Sequence, residues 1–265
     1  AGQDNRFVNL TIDGSIFNNS FGLQALPGSQ TNAAPISLDA IEEIQVNISP
    51  YSVREAGFTG GGINAVTRSG TNTLHASGFY NNRNENLVGT KAGQDGKSPV
   101  VTTAFDVKQF GASIGGAIKK DKLFFFANYE GERRTDPGTN FVASTGSNSG
   151  ANVTRVKTSD LDALSTFLKS NFGYETGAYD NYSLITSSDK ALLKFDWNIN
   201  DVHKFSVRGN ILKSLRDVPM SSSGGFNGRN NNLFALNYQN SNYEIHNDIY
   251  SLIGQLNSRF SNKVQ

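Results

Sequence analysis

The sequence predicts a mainly β chain: a partial transmembrane antiparallel β-barrel of about six strands preceded by part of a small α/β domain. Three observations carry that expectation. Apolar residues recur at every second position in segments of about ten residues. The connections between those segments alternate between very short and very long. No apolar run approaches the roughly 18 residues that a membrane helix needs, so a membrane role would require strands.

Taken in order, residues 1–72 read differently from the rest of the chain. Short strands are expected around residues 7–12, 43–48 and 63–67, broken by the turn residues Asp13-Gly14 and Gly60-Gly61-Gly62. Residues 37–42, just behind Pro35, suit a short helix or turn leading into the second of those strands. From residue 73 the alternating design begins, with strands expected at 73–83, 107–118, 122–134, 189–199, 203–215 and 247–260. The fourth is the cleanest: Ala191, Leu193, Phe195, Trp197 and Ile199 alternate with Lys190, Lys194, Asp196 and Asn198. The third sets Leu123, Phe125, Ala127 and Tyr129 against Lys122, Asn128 and Glu130, but Phe124 and Phe126 intrude on its polar face.

Residues 119–121 and 200–202 make short turns, whereas 84–106, 135–188 and 216–246 far exceed the usual loop of about four to six residues. Short periplasmic turns with long extracellular loops are the outer-membrane barrel pattern. Within the second long loop, Thr158 or Ser159 can cap a helix carrying Leu161, Leu164, Phe167 and Leu168 at helical spacing. The third is poor in apolar residues around 221–228 and rich in Asn beyond, so it reads as a mobile loop where ligand selection could lie. Phe79, Tyr80, Tyr129, Trp197 and Tyr250 are candidates for interfacial aromatic girdles, with ordinary packing as the alternative.

Composition narrows the function classes. A hydrophobic fraction of 37% is thin for a soluble core of this length, and 24 basic against 23 acidic residues leave no bulk field to attract nucleic acid. With no cysteine there is neither a disulfide framework nor a thiolate metal site. The chain starts without Met and stops just after a strand-like pattern, so it is expected to be a fragment of a longer protein.

Catalytic signals are weak. Gly111-Ala112-Ser113-Ile114-Gly115 spells the nucleophile-elbow motif, but that motif needs a strand, a sharp turn and a helix, and here it lies within an alternating strand. Gly96-Lys97-Ser98 ends like a phosphate loop without the first glycine or a βαβ frame. His75, His203 and His246 lack ligand spacing, and the loop acids Asp95, Asp136, Asp160 and Asp162 form no EF-hand run. No catalytic residue, cofactor or metal is expected.

Residues 12–14 (Ile-Asp-Gly), 40–46 (AIEEIQV) and 51–72 (YSVREAGFTGGGINAVTRSGTN) closely resemble, in order and spacing, the plug domain of TonB-dependent receptors. Residues 53–62 (VREAGFTGGG) and 124–131 (FFFANYEG) make this version look like the Oar-like group. The motif residues are Arg54, Glu55, Gly57, Gly60, Gly61, Gly62, Asn64 and Arg68. The resemblance implies that residues 1–72 are the C-terminal part of a plug and 73–265 the first strands of a barrel of roughly 22. It also implies an outer-membrane receptor whose extracellular loops and plug bind a ligand for active uptake into the periplasm. The implied partners are a TonB-type energy-coupling protein acting on a segment upstream of this chain, an unidentified extracellular ligand and outer-membrane lipid; a surface lipoprotein stays open. The glycine cluster fits a place of close backbone approach or positive φ, or else an ordinary flexible loop.

Arg54 and Arg68 fall in the plug, and Glu130 and Glu132 fall on the lumen-facing parity of the third strand, which suggests an arginine to carboxylate lock between plug and barrel. Solvated charges in a wet lumen are the competing reading. The alternative function is a non-transport all-β adhesin or carbohydrate-binding module.

Overall fold

In a computed structural model, residues 8–18, 28–48, 61–89, 91–92, 98–99, 103–220 and 230–260 are described. The chain opens with β1 (Asn9–Ile12) and β2 (Ser15–Ile16), continues through β3 (Ile41–Ile48) and β4 (Gly61–Thr67), and these form one sheet in the order β2-β1-β4-β3. The β1–β2 hairpin turns on Asp13-Gly14, both at positive φ (47° and 78°). Gly there costs nothing, and Asp tolerates the left-handed region better than most residues. β1 runs parallel to β4, while β3 pairs with β4 antiparallel. The helix or turn expected at 37–42 is a single 3-10 turn, Leu38–Ala40, whose Ser37 side chain accepts from the Asp39 amide, and β3 follows at once.

The second sheet contains six long strands. β5 (His75–Asn84) is followed by a small pair, β6 (Lys91–Ala92) and β7 (Ser98–Pro99), then β8 (Asp106–Lys119) and β9 (Leu123–Pro137). The next long connection contains β10 (Val142–Ser144), β11 (Val153–Lys157) and the helix α1 (Thr158–Phe172). The last three strands are β12 (Ser183–Asn198), β13 (His203–Val218) and β14 (Tyr243–Ser258). The sheet order β14-β13-β12-β9-β8-β5 is a pure antiparallel meander, because each long strand pairs only with the long strands before and after it. The short turns lie together at one end of the sheet and the long connections at the other. Asp121 closes the β8–β9 turn at φ 61° and exchanges hydrogen bonds with Asn72 (2.6 and 2.9 Å), which ties the start of the sheet to that turn.

The two faces of this sheet are chemically opposite, as period-two alternation requires. One face exposes Tyr80, Ile114, Ile118, Tyr129, Leu193, Trp197, Ile211, Tyr250, Leu252 and Leu256, with Leu252 at 81% exposure. The other packs against the first sheet and is largely polar. Four of the five girdle candidates stand on the apolar outer face; Phe79 has inward parity, and its ring lies against Gly111. Trp197 sits beside the short turns, paired in register with Leu123 and Phe205, whereas Tyr129 and Tyr250 lie in one row further up. Above that row the outer face turns charged, with Arg133 bridging Asp189 (2.8 Å) and Lys108 bridging Asp106 (2.7 Å). At about 3.3 Å per residue, Trp197 to Asp189 runs about 26 Å along β12, close to the apolar band of about 25 Å in such barrels.

The long connections 135–188 and 216–246 fold on one another. Ala143, Leu161 and Leu236 form a buried cluster, with Phe141, Val156, Tyr179 and Tyr238 packed around it. The backbone adds Arg155 N–H to the Leu233 carbonyl (2.8 Å) and Gln239 N–H to the Ala178 carbonyl (2.6 Å). The helix cap differs from expectation. Lys157 is the N-cap, and Thr158 instead donates to the Ser144 carbonyl at 3.3 Å. The C-terminus follows the expected chemistry, since Gly173 at φ 65° donates back to Leu168 and Lys169. Residues 233–239 of the third connection pack into this folded unit, and residues 221–229, which hold most of the stretch expected to be mobile, lie outside the described part.

Replacing Leu161 by Ala should destabilise this unit by about 2–5 kcal/mol, measured as faster protease cleavage within residues 139–182 while the long strands persist. A pH effect follows from Tyr179, whose phenol is held above its ordinary 10.0 by burial first and by its 3.1 Å hydrogen bond to Asp162 second. A raised pKa stabilises the fold below the ordinary value and ceases to do so as pH climbs through the raised one. The loop unit should therefore begin to lose protease resistance only as pH climbs above ~10, and Tyr179→Phe should lessen that dependence, Tyr238, also raised by burial, supplying the remainder.

Candidate functional site

The candidate functional feature is the contact between the two sheets. Its apolar part is small: Leu10, Ile12, Phe17, Ile36 and Ala40 bury against Phe126 of β9 and Leu192 of β12, with Ile41, Ile63 and Ile249 at the margin. Leu212 of β13 is fully buried beneath Gly28, which takes φ 84°; a Cβ added there would meet Leu212 at 2.9 Å. Phe126 is one of the two aromatic residues that break the polar pattern of the third strand. Its inward position is what the first sheet packs on.

The polar part has three centres. At the first, the Asp13 carboxylate accepts from the Thr67 amide (2.7 Å) and the Thr67 hydroxyl (2.6 Å), and so joins the β1–β2 turn to the end of β4. The same carboxylate is ion-paired with Arg208 of β13 and lies 3.9 Å from Lys194 of β12. Lys194 also donates to the Thr67 carbonyl and hydroxyl at 3.2 and 3.1 Å. Adjacent strands thus present two buried cations to one carboxylate of the first sheet. At the second centre, Glu130 of β9 pairs with Lys190 of β12 (2.6 Å), both side chains 5% exposed, and accepts from Gln109 (3.1 Å) and from Ser37 of the first sheet's segment (2.5 Å). At the third, Thr31 meets Ser214 (2.7 Å), and Arg216 donates to the Gln30 carbonyl and Asn32 side chain (3.3 and 3.2 Å).

The Arg68 half of the expected lock does not form, and Arg54, its other arginine candidate, lies outside the described residues. Arg68 does not reach Glu130 or Glu132; it lies 3.5 Å from Asp39 and donates to the Ile41 carbonyl, both within its own unit. Glu130 is neutralised by Lys190 on its own sheet, and Glu132 sits in register between Gln109 and Ser188. Among the described residues, the ion pairs joining the two sheets run from the carboxylate Asp13 to the cations Arg208 and Lys194. The physical reason is spacing: Arg68 is held at the exposed end of β4 by Asp39, whereas the Asp13 turn projects onto β12 and β13. Arg54, Glu55, Gly57 and Gly60 lie outside the described residues. Gly61 and Gly62 are extended strand residues that open β4 opposite Ile48 and Asn47, so neither takes positive φ. Asn64 is a structural bridge, accepting from Thr11 (2.8 Å) and the Gly14 amide (2.9 Å) and donating to Gln45 (3.3 Å).

In the sequence Asp13 stands out as a turn residue and as part of the Ile-Asp-Gly run, not as an ion-pair partner. Lys194 and Arg208 were visible as polar-face residues, yet nothing in alternation says which inward charge meets a partner across the lumen. Ser113 lies mid-strand, its hydroxyl 2.7 Å from that of Ser77, which in turn reaches Asp39 at 3.1 Å, and no histidine is hydrogen-bonded to either serine among the described residues. Among the described residues no group of histidine or acidic side chains could hold a metal ion.

Comparison with known proteins agrees with this architecture. The family model described as "Outer membrane beta barrel domain" matches residues 66–252, well over half of the sequence, and the chain belongs to that family of the bacterial outer membrane. The TonB-dependent transporter Oar of Myxococcus xanthus is 35% identical over 136 residues, covering 48% of this chain and 13% of that protein. The outer membrane transporter YddB from Escherichia coli superposes with a TM-score of 0.57 over 97% of this chain and 30% of its own, at 14% identity, a likeness of fold. The chain thus spans less than a third of the length of either.

Glu130→Gln should leave Lys190 buried without its carboxylate and cost about 3–5 kcal/mol, whereas Glu130→Leu with Lys190→Met should cost much less. Denaturant titration of the full-length protein would measure both; equal losses would show that the pair has no special role.

Proposed function

We propose that this chain is part of an outer-membrane receptor for TonB-dependent active uptake of a ligand into the periplasm. In this reading residues 1–72 are the C-terminal part of the plug, and residues 73–265 are the first barrel strands with their extracellular loops. The observation that supports it best is the pairing of an apolar, solvent-facing outer wall with a polar inner wall on which a separate small sheet is docked. A contact built from ion pairs and a modest apolar patch suits a plug that must leave and return, because ion pairs can be exchanged for water while a large apolar core cannot. The ligand would be held by the loop unit and the upper plug, and a TonB-type protein would pull on a segment upstream of this chain. The relative from Myxococcus xanthus is named as such a transporter. A surface lipoprotein over the loops is compatible with this reading.

The adhesin or carbohydrate-module alternative is disfavoured by the outer face. A soluble sandwich would bury a continuous row such as Leu193, Ile211, Tyr250 and Leu252 against a second sheet. One substitution separates the two readings. Leu252→Arg should cost about 2–4 kcal/mol when the full-length protein folds into lipid vesicles, because the side chain would face hydrocarbon. A change within about 0.5 kcal/mol, as for an ordinary surface position, or recovery of the protein in the aqueous phase without detergent, would count against the membrane reading. Failure of the detergent-solubilised protein to bind the periplasmic domain of a TonB-type protein would count against energy coupling.

A further inference from the structure

The Arg208 guanidinium is 4% exposed, yet only one of its nitrogens is engaged, by Asp13; Nε and Nη2 have no hydrogen-bond partner among the described residues. Buried polar atoms are nearly always bonded, so such an exception calls for a physical reason. A second exception stands beside it. Oδ2 of Asp196 is equally buried and equally unpartnered among the described residues. Asp196 faces Ser206 across the β12–β13 ladder, and Arg208 faces Lys194, so Asp196 and Arg208 are diagonal neighbours on the inner face. Diagonal positions lie about 7–8 Å apart, within the reach of a long side chain. Lys194, two residues along β12 from Asp196, shares that face.

We infer that Asp196 is the alternate acceptor for Arg208, taking over its charge when Asp13 leaves the wall. The inference rests on the plug reading above and adds the residue that regulates release. In the docked state Asp13 stands between two cations, and Oδ2 of Asp196 has no partner among the described residues. Withdrawal of Asp13 would leave both cations on the inner wall without its carboxylate. A side-chain rotation that brings Nε and Nη2 of Arg208 onto Asp196 exchanges one charge-assisted pair for another. The wall then has two arrangements of the same groups, with the first sheet bound in one and free in the other. The device is a handover of one guanidinium between two carboxylates, one carried by the departing sheet and one fixed in the wall.

Two measurements on the full-length protein test it. In a crystal structure of the Asp13→Asn variant, Arg208 should be bonded to Asp196; an Arg208 that stays on the substituted side chain at position 13, or bonds neither, overturns the handover. The second measurement follows release through thiol labelling of an Ala40→Cys probe, a position with 0% exposure against the wall. Asp196→Asn should slow labelling about tenfold, because the released state loses its acceptor. In the Asp13→Asn background, where Arg208 has already moved, the same change should matter less than about twofold. Equal effects in both backgrounds, or no effect in either, overturn the inference. Neither measurement requires transport, so a full-length protein that imports nothing but still moves Arg208 onto Asp196 would refute the uptake reading alone.

Discussion

Everything in this molecule depends on how the inner wall's buried cations are neutralised. Lys190, Lys194 and Arg208 come from two adjacent strands and face inward at 4–9% exposure, where an unpaired charge is costly. Lys190 finds its carboxylate within the wall, on Glu130. Lys194 and Arg208 turn to Asp13, which belongs to another sheet. The wall is self-sufficient at one level and dependent at the next. That difference gives docking its specificity, because the hairpin turn brings Asp13, with Thr67 behind it, onto the two cations the wall leaves unmatched among the described residues.

Strand existence and order were legible because barrel strands must alternate, and because short turns and long loops segregate by side of the membrane. The boundaries were legible to within a few residues at the short turns. They were less so at the upper ends: β12 begins at Ser183 rather than near 189, and β14 at Tyr243 rather than near 247. Above the apolar band the outer face becomes polar, so strands continue there without the alternation that identifies them.

The site was harder to read for a related reason. Phe126, Leu192 and Leu212 look like flaws in an alternating pattern, but they mark where the wall is covered by protein rather than water. A departure from a regular pattern is itself a contact signal, yet it does not name the partner. The lock was expected from Arg54 and Arg68, of which Arg68 pairs within its own unit, whereas among the described residues the cross-sheet ion pairs are held by an aspartate in a two-residue turn. Partner choice across the lumen is a three-dimensional property of the Asp13 turn, set by the parallel pairing of β1 with β4. Local spacing contains no trace of it.

The two long connections share one small core, although they leave from different pairs of strands. Tyr238 from one donates to the Leu161 carbonyl of the other at 2.6 Å, and Leu236 lies in the same cluster as Leu161. They therefore behave as a single packed unit rather than two independent appendages. Exchange of one loop alone with that of a relative would expose half a core, so any graft meant to transfer recognition must move both connections together, along with the strand ends that set their spacing.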